Sequence, residues 1–172
     1  MDDEYKKKDY IMEEVTLFHP PIVHFAIVLP MVTTILYLLF LKTKSGSLFK
    51  MAEYFAYASA IFIVLAWYTG GHDGKLAYEA LFVNSDEGVE ELKEHKSLGT
   101  MLAIFFVAIA VMFKMSQLKP NKYLFWIIGA SLLFGSATIL KQGKDGGELV
   151  YEYAANVDLP QMEDDDDMKD EE

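Results

Sequence analysis

Four stretches without a single charged residue, Phe25 to Leu41, Phe55 to Thr69, Leu98 to Phe113 and Tyr123 to Leu140, divide this 172-residue chain. Each holds 15 to 18 residues, close to the shortest helix that crosses a bilayer. They are apolar on all sides, without the polar face that a water-exposed helix carries. Flanks such as Pro20-Pro21 and Met51-Ala52 extend them, and the connections between them are short. The sequence therefore predicts an all-α integral membrane protein, a bundle of four transmembrane helices over about 20–41, 51–70, 97–113 and 123–141. A soluble bundle of very apolar helices is the competing reading of the two shortest spans. The membrane domain covers 17–157, after a polar N-terminal segment, 1–16. The acidic tail, 158–172, repels itself, has no core to join and is expected to be disordered. Tyr37, Tyr54, Trp67, Tyr68, Tyr123 and Trp126 lie near span ends, as side chains with an apolar body and a polar tip do at headgroup depth.

Charge sets the orientation. The chain has 15 basic residues, all of them lysine, against 26 acids, for a net charge of -11. Without arginine forks or a basic surface, nucleic acid is not an expected partner. The connections Lys42 to Lys50 and Lys114 to Lys122 together carry six lysines and no acid, which places both on the cytoplasmic side and both termini on the other. The acidic start Met1-Asp2-Asp3-Glu4 and the lack of a small-residue cleavage site argue that the first helix is retained. Cysteine is absent, which excludes disulfides, iron–sulfur clusters, thiolate nucleophiles and covalently attached haem. No carboxylate pair at catalytic spacing, Ser/His/Asp arrangement or phosphate-cradling loop supports hydrolysis. Any redox chemistry needs a non-covalent cofactor.

The chain also repeats itself. Gly71-His72-Asp73-Gly74-Lys75-Leu76-Ala77-Tyr78-Glu79 aligns with Gly143 to Glu152, and Ala58-Ser59 with Ala130-Ser131. This pattern reads as two copies of a helix hairpin related by a parallel pseudo-twofold axis along the membrane normal. With a one-residue gap, the alignment brings His24 onto His95, so these two are expected to face each other across that axis. The glycines of the repeat are expected to end helices and turn the chain back, with Asp73 and Asp145 supporting the turns. Asn84 to Lys96 reads as a short amphipathic helix, capped by Ser85 or Asp86, with Val89 and Leu92 on one side.

All four histidines, His19, His24, His72 and His95, fall on the predicted outer face. Ionisable groups at a membrane boundary tend to be functional, and imidazole is the common axial ligand of haem iron. The expectation is a b-type haem held by His24 and His95, with His19 and His72 as supporting or substitute ligands. Gly99 and Ala103 would leave room for a flat macrocycle, and Lys96 or Tyr78 would meet its propionates. Such a protein would pass electrons between quinol and a periplasmic redox protein. Three alternatives stand beside it: a non-catalytic membrane subunit or interaction module, in which the tail recruits a partner or the chain forms a homo-oligomer; a small transporter; and a transition-metal site.

The run Phe18-His19-Pro20-Pro21-Ile22-Val23-His24-Phe25 resembles the opening of a bacterial membrane family catalogued as domain of unknown function 2231. His95 at the start of the third helix and Gly146-Gly147-Glu148-Leu149-Val150-Tyr151 match its later features. The resemblance covers roughly residues 17 to 157 and implies a four-helix protein of the bacterial inner membrane, with no established activity. Members commonly carry histidine where this chain has Lys144, and often a charged residue or histidine in place of Tyr153. His19, His24 and His95 are the positions that the family pattern retains.

Overall fold

A computed structural model describes residues 19–153 and 155; the N-terminal segment 1–16 and the acidic tail 158–172 lie outside these. The described chain is helical: α1 (His19–Thr43), α2 (Gly46–Asn84), α3 (Asp86–Leu118) and α4 (Lys122–Tyr151). All four are long and apolar enough to cross a membrane.

Local chemistry explains the boundaries. Pro20 and Pro21 stand in the first turn of α1, where a missing N–H costs nothing and the fixed φ suits a helix. The chain leaves α1 through Lys44, whose φ of 58° is left-handed, with its N–H bonded to the Phe40 carbonyl at 2.7 Å. Ser85 separates α2 from α3 and caps the latter, its hydroxyl accepting from Gly88 N at 3.0 Å. Asp86 and Glu87 follow in the first turn, where acids meet the positive end of the helix dipole. Asn121 caps α4 by accepting from Tyr123 N at 2.9 Å.

Such short connections force successive helices to run antiparallel. α1 packs on α2 and α4, and α3 packs on α2 and α4, while the backbones of the diagonal pairs stay apart and meet only through large side chains such as Tyr37 with Phe113 and Phe49 with Phe125. The bundle is therefore a four-membered ring. Its main core runs from Ala26 to Ile139, with Phe106, Ile109, Ile128 and Leu132 near its middle. Tyr37, expected at headgroup depth, is fully buried instead; its hydroxyl donates to the Phe125 carbonyl at 2.9 Å, and its ring meets Phe113 edge-on at 5.3 Å. Tyr54, Trp67, Tyr68, Tyr123 and Trp126 are exposed. Buried hydroxyls join the helices: Thr34 and Ser136 lie 2.8 Å apart between α1 and α4, and Thr33 and Ser59 lie 3.1 Å apart between α1 and α2.

Two expectations are corrected. α2 runs 39 residues without stopping at Gly70, Gly71 or Gly74, and α4 continues through Gly143, Gly146 and Gly147 to Tyr151. No glycine has positive φ among the described residues, so none turns the chain; several serve instead as close-packing points. The segment before His95 is the first part of α3 itself rather than a separate helix. At 1.5 Å per residue α2 is roughly 58 Å long, about twice the hydrocarbon thickness. Its far end, with the start of α3 and the end of α4, builds a second small core from Ala77, Leu81, Val89, Leu92 and Leu149.

Candidate functional site

The two cores meet at the end of the ring where the histidines lie. His19 opens α1, and its backbone N–H donates to Asp73 Oδ2 on α2 at 3.1 Å. An aspartate on a neighbouring helix thus supplies the acceptor that a helix N-terminus needs. The His19 ring rests against Gly70, where an added β-carbon would stand 2.7 Å from Cε1. Nδ1 of the ring lies 3.3 Å from Thr69 Oγ1. That hydroxyl gives its own proton to the Leu65 carbonyl at 2.9 Å, and the ring also has the Ala66 carbonyl as a hydrogen-bond acceptor.

Across the ring, His95 on α3 mirrors this seating. It rests against Gly146 of α4, where an added β-carbon would stand 3.0 Å from Cε1. The sequence separation between each histidine and its glycine is the same in both cases. Nδ1 of His95 is buried without a hydrogen-bond partner, and so is Oε1 of Gln142. The amide of Gln142 donates to the His95 carbonyl at 2.8 Å. The backbones of α1 and α3 stand diagonally apart, yet His95 lies within the electrostatic reach of His19 and of Asp145. One imidazole from each hairpin thus approaches the bundle axis at the same end.

The other expected residues are distributed differently. His24 is on the exposed side of α1, and its Nδ1–H donates to the Pro20 carbonyl at 2.7 Å. It does not point into the bundle, and His19 takes the place expected of it opposite His95. Five residues of α-helix turn the chain about 140° away from its starting direction, so a helix that aims His19 inward aims His24 outward. His72 is largely exposed, with Nδ1 at 3.3 Å from Asp73 Oδ1. Gly99 gives its space to Gln142, whose Nε2 would stand 3.3 Å from an added β-carbon. Lys96 is exposed and passes within 3.8 Å of the space beside Gly74, and Tyr78 is partly exposed on α2.

Several residues not singled out as ligands complete the site. Asp145 is buried and receives Lys141 Nζ at 3.0 Å. Its carboxylate oxygen lies within 4.8 Å of those of Glu91 and Glu148, and Lys144 pairs with Glu148. Thr69 and Gln142 carry no chemical signature in a sequence; only the Asp73/Asp145 correspondence in the repeat marks this neighbourhood.

These features define a multi-pass helical membrane protein with a polar, imidazole-bearing site at one end. The chain belongs to the DUF2231 family, described as predicted membrane protein, whose model matches residues 16–159. No curated protein and no solved structure matches the chain.

Proposed function

We propose that the protein is an electron carrier of the bacterial inner membrane, holding a b-type haem between His19 and His95 at the outer, acidic end of the bundle. The observation that carries this reading is the placement of two imidazoles on diagonal helices, each seated on a glycine of the adjacent helix. The donor set suits the group: imidazole is the common axial ligand of haem iron, and His19 has the Thr69 hydroxyl beside Nδ1, the kind of outer partner that orients a ligating ring. Haem bound there would supply a one-electron couple. The residues orient and shield: Gly70 and Gly146 admit the rings, Asp73 fixes the start of α1, and Lys96 and Tyr78 would be the groups to hold propionates. Quinol in the bilayer is the donor or acceptor on one side and a periplasmic redox protein on the other. The lysine-rich connections face the cytoplasm, with both termini outside.

A second reading is favoured by the Glu91, Asp145 and Glu148 oxygens, which lie close enough together for a divalent or transition-metal ion. Titration of the detergent-purified, cofactor-free protein with hemin separates the two. A saturable Soret shift at one equivalent supports the haem reading. Stoichiometric metal retention with no Soret response supports the second, and neither response leaves a non-catalytic subunit or interaction module.

A further inference from the structure

Buried polar groups in a membrane bundle have no water to fall back on, so an unpaired one demands a partner. Among the described residues, two buried side-chain atoms lack one, His95 Nδ1 and Gln142 Oε1. They belong to side chains that are already joined, through the Gln142 amide and the His95 carbonyl at 2.8 Å, and they are chemically complementary. An amide oxygen can only accept, whereas an imidazole nitrogen donates if it carries the proton.

We infer that Gln142 is a positioning residue for His95, its Oε1 accepting from Nδ1–H so that the proton is held on Nδ1 and Nε2 is left bare. Nε2 of Gln142 anchors the amide on the His95 carbonyl, and the inferred second bond, from the ring to Oε1, would satisfy both buried atoms. Gly99 makes this possible, since a β-carbon there would crowd the amide at 3.3 Å. Gly146 lets the ring approach α4. The competing acceptor facing the ring is Asp145, whose carboxylate is engaged by Lys141 at 3.0 Å. On the other hairpin Thr69 stands 3.3 Å from Nδ1 of His19, the hydroxyl counterpart of the Gln142 amide. The tautomer assignment stands on the hydrogen bonding alone; its meaning for iron ligation rests on the haem reading.

The test is 15N-edited NMR of the histidine rings in the cofactor-free full chain, with Gln142→Leu, Gln142→Glu and Asp145→Asn. Wild type should show His95 as the Nδ1–H tautomer. Gln142→Leu should shift it toward Nε2–H, the form that free imidazole favours, while Gln142→Glu, which keeps an acceptor but loses the anchor on the carbonyl, should retain Nδ1–H. Asp145→Asn should leave the tautomer unchanged. A wild-type Nε2–H tautomer, an unaltered His95 in Gln142→Leu, or a Gln142→Glu spectrum like that of the leucine variant would overturn the assignment. Because no cofactor is present, failure of the haem reading leaves these outcomes intact.

Discussion

His19 occupies the space that Gly70 leaves empty: a β-carbon on Gly70 would come within 2.7 Å of Cε1 of the imidazole, closer than real β-carbons approach. The glycine therefore sets where the ring sits, and Thr69, one residue earlier, sets which way its nitrogens point.

Gly70→Ala should push the His19 ring out of its seat. Overpacking of this kind costs about 1 to 3 kcal/mol, and hemin affinity should fall at least tenfold. Gly146→Ala meets His95 at 3.0 Å and should act in the same direction with a smaller effect. Thermal unfolding in detergent and hemin titration read the two consequences separately.

Asp73 holds the first amide of α1 from a different helix. Its replacement by alanine should cost about 1 kcal/mol, the usual cost of a lost cap, and raise hydrogen exchange in the first turn of α1. Asp73→Asn keeps an acceptor oxygen and should restore most of the protection.

Thr34 and Ser136 lie 2.8 Å apart in the dry middle of the bundle. A double-mutant cycle with Thr34→Val and Ser136→Ala should give a coupling of about 0.6 kcal/mol, the mean for such bonds in membranes. Both hydroxyls also reach the Pro30 carbonyl, Thr34 within α1 and Ser136 across from α4, which gives each an alternative acceptor and keeps the net coupling small.

At the opposite end from the histidines, Glu53 is buried and accepts from Tyr57 at 2.6 Å and from the amide of Gln117. Glu53→Leu leaves both donors unmet, costing about 1 to 3 kcal/mol for each, so the variant should unfold at lower temperature. Hemin binding to the folded fraction should be unchanged, because the glutamate serves the α2–α3 seam and not the histidine end.

Much of this was legible in the sequence. Four uncharged spans dictated four helices, and the histidine end followed from the antiparallel order that short connections impose. The cap at Ser85 and the buried side of Val89 and Leu92 were readable from local spacing. The glycines misled because backbone freedom and close packing call for the same residue; only the facing imidazoles show that Gly70 and Gly146 serve packing. The alignment that set His24 opposite His95 followed sequence similarity, whereas the seating on glycine sets His19 there. Tyr37, Glu53 and Gln142 owe their roles to partners on other helices, Phe125, Gln117 and His95, which a single sequence does not pair.

The central claim is tested most directly by a dithionite-reduced minus oxidised visible spectrum of the protein expressed with haem supply and purified in detergent, beside His19→Ala, His95→Ala and His24→Ala. The account predicts a sharp alpha band in the wild type, lost or converted to a five-coordinate form in His19→Ala and His95→Ala and retained in His24→Ala. A colourless wild type, or a band lost only with His24, would contradict it.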